Sequence, residues 1–133
     1  MPDRKKIRIL VIDDDRTFRE LASMMLSAAG YSIETAEDAI VGGKALLLRN
    51  FDLLICDINM PYMNGLELAT LLKADERTKA LPLILASSRM DDDAVSKASA
   101  LLAADYLVKP VTVEQLLKTV ADVVTKLHLD AQA

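Results

Sequence analysis

Three consecutive carboxylates, Asp13, Asp14 and Asp15, follow the apolar run at residues 7–12, and a second apolar run at 53–56 ends in Asp57. Two more strand-like runs, 83–86 and 106–108, end in Ser87 with Ser88 and in Lys109 with Pro110. In an open α/β sheet, ligands gather outside the carboxyl ends of the strands, where the strand order reverses. Four runs therefore deliver polar groups to one edge. Carboxylates brought together there resist joint ionisation unless a cation neutralises them. A hard divalent ion is expected, and magnesium suits it, because it takes one or two carboxylates, keeps several waters and recruits phosphate oxygens. With that charge count a carboxylate such as Asp57 can attack phosphorus and form an aspartyl phosphate. The metal and the Lys109 ammonium would neutralise the equatorial oxygens, and Ser87 would donate a hydrogen bond to the same group.

Each of these residues also has a plainer reading. Asp13 to Asp15 can cap a helix, where carboxylates favour the dipole. Lys109 alone is an ordinary surface lysine and Ser87 an ordinary buried hydroxyl; their joint placement is what carries the argument. The second acidic run, Asp91 to Asp93, follows Ser88, Arg89 and Met90 instead of a strand end, so capping is its preferred reading. The lone histidine, His128, falls at the far end of the last helical pattern and reads as a surface residue.

The elements that must position the site alternate. Strand-like runs at 7–12, 53–56, 83–86 and 106–108 are continuously apolar, as strands buried on both faces are, and 32–36 alternates as an edge strand does. Between them Phe18, Leu21, Ala22, Met25, Leu26 and Ala29 recur at helix spacing and stop at Gly30. Weaker helical patterns cover about 38–49, 65–74 and 92–103. Gly42 and Gly43 cost the first of these roughly 1 kcal/mol each relative to Ala, so it depends on tertiary packing. A last helix is expected near 113–128 after Thr112 as N-cap. The βαβαβαβαβα rhythm implies a parallel sheet with right-handed crossovers and helices on both faces.

The 133 residues suit one domain, read as 1–133, with an aliphatic core drawn from a chain that is 52% apolar but has only two Phe, three Tyr and no Trp. No apolar run approaches the roughly 20 residues that span a bilayer, so no membrane link is expected. No export signal is visible, and one cysteine, Cys56, implies neither a disulfide nor a metal cluster; a cytoplasmic setting fits. A net charge of −4 argues against nucleic acid as a partner. The basic group Arg4, Lys5, Lys6 and Arg8 reads as a solvated leader.

With its residues in view, the chain resembles the response-regulator receiver family of the chemotaxis-type, single-domain kind. The resemblance runs from Ile7 to about Leu127. It rests on Val11-Ile12-Asp13-Asp14-Asp15, on the segment from Cys56-Asp57 through Asn59-Met60-Pro61 to Asn64-Gly65-Leu66-Glu67, and on Tyr106-Leu107-Val108-Lys109-Pro110. It implies a flavodoxin-like receiver fold: α/β, a doubly wound five-stranded parallel sheet of order 2-1-3-4-5 flanked by five helices. It further implies Asp57 as phosphoacceptor, Mg2+ as cofactor, Asp14 as a direct metal ligand, Asp13 as a ligand through water, and the Asn59 backbone carbonyl completing the protein's share of the shell. Ser87 and Tyr106 match the family's switch residues and Lys109 its phosphate-pairing lysine, with a cis Lys109-Pro110 bond.

The implied phosphodonor is a histidine kinase or histidine phosphotransfer protein, docking near Thr17, Glu20, Met24 and the Pro110-Val111 loop, and output would pass through the face of helix 4, strand 5 and helix 5 to an unknown protein target. Asn59 and Arg89 border the path of the water that would hydrolyse the phosphoryl group. Three positions depart from the pattern: Asn64 for Asp, Ala39 for Gly, and Leu102 where a helix-ending Gly is usual. Leu102 implies that helix 4 ends differently, and the pair Leu101-Leu102 either buries in the core, the favoured expectation, or forms a partner-specific apolar patch. Two other readings remain open here. One is an aspartyl-nucleophile phosphatase, which would need an acid where Asn59 stands; the other is a degenerate receiver scaffold that is never phosphorylated. A flavin module lacks its phosphate loop after the first strand.

Overall fold

The computed structural model describes residues 6–89 and 91–132, with residues 128–132 described by backbone alone. The readings of His128 as a surface residue and of Arg4 and Lys5 as a leader fall outside the described residues. The elements run β1 (Arg8–Ile12), α1 (Arg16–Ala28), β2 (Ser32–Ala36), α2 (Ala39–Leu48), β3 (Leu53–Asp57), α3 (Gly65–Ala74), β4 (Leu83–Ser87), α4 (Asp92–Ala100), β5 (Asp105–Val108) and α5 (Val113–Gln132). All strands are parallel, in the order β2-β1-β3-β4-β5. This is the doubly wound five-stranded sheet that the alternation implied. Helix α5 runs past the expected end near 128, and α4 stops short of 103.

Alternation along the central strands makes two cores. Ile9, Val11, Leu53, Ile55, Ile84, Ala86 and Leu107 pack against Phe18, Ala22 and Leu26 of α1 and Leu116, Val120 and Val123 of α5. Leu10, Ile12, Leu54, Cys56, Leu83 and Leu85 face the other way, toward Ala39 and Ala45 of α2, Leu68 and Leu72 of α3 and Ala98 of α4. Burying both faces is what makes β1, β3 and β4 read as continuous apolar runs.

Asp15, Asp91 and Thr112 cap helices as expected, and Asp38 and Asn64 add caps that the sequence reading did not name. The Asp15 carboxylate accepts from the Thr17 amide at 3.0 Å, Asp38 caps α2, and Asp91 caps α4 through the Ala94 amide at 2.9 Å. Thr112 and Gln115 close a reciprocal capping box on α5, and Asn64 and Glu67 do the same on α3.

Helix ends bring a correction. Helix α1 terminates with Gly30 at φ +101, Gly30 N–H donating to Ser27 and Tyr31 N–H to Leu26. Helix α4 terminates with the same pair of bonds, Leu102 N–H to Ser99 and Ala103 N–H to Ala98, while Leu102 sits at φ +58. So α4 ends just as a glycine-capped helix does, with a leucine held in the left-handed region. The expected burial of the pair divides: Leu101 packs on the core, but Leu102 is 78% exposed, because the left-handed turn points its side chain outward.

Candidate functional site

The strand order reverses between β1 and β3, so the crevice opens beyond their carboxyl ends. Ile12 pairs with Cys56, which sets Asp13 and Asp57 side by side at the next step. Asp57 pairs with Ala86 and Ser87 with Val108, bringing Ser87 and Lys109 to the same edge. Parity adds a side: Ile9 and Val11, Leu53 and Ile55, and Leu107 face α1 and α5, and continuing the alternation sends Asp13, Asp57 and Lys109 that way too.

The Lys109 ammonium donates to Asp13 Oδ2 at 2.6 Å and lies 3.6 Å from Asp57 Oδ1. The Phe18 ring lies beneath it, 4.8 Å from Nζ to the ring centre. Asp13 and Asp57 are buried, and Asp14 is exposed at the mouth. One carboxylate oxygen from each of the three lies within 4.8 Å of the others. Asp57 also accepts from the Asn59 amide at 3.3 Å, and the Asn59 side-chain amide donates to Ser87 Oγ at 2.9 Å. The Lys109-Pro110 bond is cis.

Charge explains what this arrangement calls for. Burial pushes the Asp57 carboxyl up from its ordinary 3.8 to about 6; the Asp13 charge and a hydrogen bond with Asp14 add to this, while Lys109 and the Asn59 amide oppose it. Burial also works against the charge of Lys109, but the hydrogen bond that it donates to Asp13 and the charges of both aspartates outweigh this and hold Lys109 above its ordinary value. Three carboxylates against one ammonium leave a surplus of negative charge, and their all-oxygen donor set fits a hard divalent cation. The cluster is therefore capable of holding such an ion.

A scan of family models matches the response regulator receiver domain over residues 9–121. The chain belongs to the response regulator receiver family. This receiver is 33% identical over 111 residues to the chemotaxis protein CheY of Pseudomonas aeruginosa, covering 83% of this chain and 90% of that one. It is 36% identical over 115 residues to the DNA-binding dual master transcriptional regulator RpaA of Synechocystis, covering 85% of this chain but only 47% of that protein. Among solved structures, the chemotaxis response regulator CheY4 of Vibrio cholerae superposes with a TM-score of 0.84 at 31% identity, covering 90% of this chain and 99% of that one. The function is that of a receiver in phosphorelay signalling, a phosphoacceptor and not a turnover enzyme. Among the described residues no helix is long and apolar enough to cross a membrane.

The sequence-expected residues do not all meet. Asp13, Asp14, Asp57 and Lys109 form one group, and Asn59 links Asp57 to Ser87. Tyr106 stands apart on the sheet edge, 41% exposed. The Arg89 side chain is exposed; its amide donates to Ser87 Oγ at 3.0 Å. Among the described residues it forms no ion pair with Asp91 to Asp93, and the exposed side chain is also what an arginine merely pointing into solvent would show. Thr17, Glu20 and Met24 lie exposed along α1, and Glu20 and Met24 border a shallow cavity of about 400 Å³ with Arg16, Arg19, Ser23 and Thr35.

Three supporting residues escaped the sequence reading. Arg19 donates to the Asp13 backbone carbonyl at 2.7 Å from α1, a link that spacing does not announce. Phe18 was legible only as a core residue. Gly65 was legible as part of the motif, but its role was not: a Cβ there would lie 2.3 Å from the Asp57 carbonyl oxygen. Only glycine lets α3 start so close to the strand that carries Asp57.

Proposed function

We propose that Asp57 is the phosphoacceptor of a cytoplasmic receiver comprising residues 1–133, that Mg2+ is its cofactor, and that a histidine kinase or histidine phosphotransfer protein is its donor. The observation that carries this reading is the position of Asp57, buried at the strand-order reversal with Lys109 3.6 Å away and two further carboxylates beside it. Asp14, Asp57 and the Asn59 backbone carbonyl would hold the metal directly, and Asp13 through water. Bound there, magnesium would supply positive charge to the phosphoryl oxygens.

In transfer, an Asp57 oxygen forms a bond to phosphorus as the phosphorus–nitrogen bond to the donor imidazole breaks, and the nitrogen keeps the electron pair and takes up a proton. Lys109, which Asp13 anchors and Phe18 supports, pairs with a phosphoryl oxygen. Ser87 exchanges its hydrogen bond from Asn59 for one that it donates to the phosphoryl group. That movement frees room for Tyr106 to turn inward, which alters the surface of α4, β5 and α5 and hence the binding of a downstream protein. Arg89, beside Ser87, covers the approach of water and lengthens the phosphorylated state.

Incubation with acetyl phosphate or phosphoramidate and magnesium should add one acid-labile phosphoryl group by intact mass. Chelation of the metal should prevent the addition, and Asp57→Asn should abolish it. An unmodified wild-type mass would count against the assignment.

A further inference from the structure

We propose that Arg19 is a positioning residue for the metal: by holding the Asp13 carbonyl it fixes the peptide that joins Asp13 to Asp14, and with it the Asp14 carboxylate at the mouth of the cluster. This rests on the magnesium reading above and names a residue outside the ligand set.

The consecutive aspartates are held very unequally. Asp13 is fixed at four points. Its amide donates to the Ala36 carbonyl at 3.0 Å, its Oδ1 accepts from the Asp15 amide at 2.9 Å, its Oδ2 from Lys109 at 2.6 Å, and its carbonyl from the Arg19 guanidinium at 2.7 Å. Asp15 is fixed as well, because its side chain caps α1 and its carbonyl accepts from the Arg19 amide at 3.0 Å. Asp14 lies between them, exposed, and among the described residues its backbone makes no hydrogen bond. Yet Asp14 is the residue that would bind the metal directly. A peptide unit is planar, so a hold on the Asp13 carbonyl is also a hold on the Asp14 amide, and it restrains the torsions that aim the Asp14 side chain. Among the described residues only the Arg19 side chain supplies that hold.

Arg19 is also placed so as not to compete with the ion. Its neighbour Arg16 pairs with Glu20 at 2.9 Å, one turn along α1, whereas Arg19 pairs with no carboxylate among the described residues. A guanidinium that reached the cluster would neutralise a carboxylate and weaken its claim on a cation. Turned to the backbone instead, the half-buried Arg19 makes a short, charge-assisted bond and leaves all three carboxylates to the metal.

Charge makes the sign of a test decisive. Arg19 is a cation beside an acidic cluster, so by Coulomb repulsion alone its removal should tighten the binding of a divalent ion. Positioning requires the reverse, because a ligand no longer held must be ordered when the metal binds. Loss of a residue that orients a metal ligand costs about 10–100-fold in affinity, and for one exposed ligand among several the low end applies.

Titration of the isotope-labelled whole chain with magnesium chloride at neutral pH, followed by amide NMR, tests this. Arg19→Met should bind magnesium about tenfold more weakly than wild type, and Arg19→Lys, which keeps a donor, should recover most of the affinity. Before metal is added, the Asp14 amide should have a lower order parameter in Arg19→Met than in wild type, while β1 keeps its own. Equal or tighter binding by Arg19→Met, or an Asp14 amide as ordered as in wild type, would overturn the inference and leave the magnesium reading standing. Loss of the fold, or a lower melting temperature with unchanged affinity, would overturn it too, since a merely structural tie between α1 and β1 gives that result. A wild type that binds no magnesium would overturn the magnesium reading itself, and this inference with it.

Discussion

Burial makes the Asp57 carboxyl hold its proton to a higher pH than a free carboxyl does. Its pKa is raised from 3.8 to about 6, so the folded state binds a proton more tightly than the unfolded chain does. The stabilisation is fully present below the unfolded value and is lost as pH rises through about 6. Metal-free Asp57→Asn should therefore be more stable than wild type at pH 7.5, by on the order of 2 kcal/mol, and the difference should shrink toward pH 4; urea denaturation of both proteins at the two pH values measures it. Because the proton and the metal compete for the same oxygens, magnesium should raise the melting temperature of wild type at pH 7.5 and have little effect at pH 5. Arg89 gives an independent check: Arg89→Ala should hasten loss of the phosphoryl group without lowering the extent of labelling. Equal lifetimes at matched magnesium and pH would remove Arg89 from the role proposed for it.

Two helix termini test how local geometry supports the site. Leu102 occupies at φ +58 the position that Gly30 occupies in α1, and its side chain is exposed. Leu102→Gly should thus relieve strain and lose little packing, raising stability by about 1 kcal/mol in denaturant titrations. At the start of α3 the sign is opposite. Gly65→Ala drives a methyl group against the Asp57 carbonyl, and it should destabilise the fold and slow labelling by acetyl phosphate together.

These termini also mark where sequence reasoning reached its limit. The carboxyl ends of β1, β3, β4 and β5 were legible because continuous apolar runs stop at polar residues, and the caps at Asp15, Asp91 and Thr112 follow ordinary preferences. The ending of α4 was not, since a leucine gives no sign that it will adopt a backbone conformation usual for glycine. The link from Arg19 to Asp13 was equally hidden: it depends on a side chain reaching back from α1 to the end of β1, which periodicity does not encode.

For the molecule as a whole, two cores divided by one sheet leave separate surfaces for separate tasks. The strand-order reversal opens beside α1, and in the proposed reading a donor protein that reaches Asp57 docks over Thr17, Glu20 and Met24. Charge or bulk introduced at these three exposed positions should slow transfer from the protein donor and leave labelling by acetyl phosphate unchanged. Equal losses with both donors would point to damage at the site instead. The doubly wound order was legible from the alternation of elements and the family's motifs. The exposed leucines of α2 were not, because an apolar helix reads the same whether its outer face is covered or bare.

The central claim is that Asp57, among three neighbouring carboxylates, takes the phosphoryl group. Borohydride reduction of the protein after labelling with acetyl phosphate and magnesium converts an aspartyl phosphate to homoserine, and peptide mass mapping then locates it. Homoserine at position 57 alone is the predicted result; homoserine at 13 or 14, or phosphate retained on a hydroxyl side chain, would contradict the account.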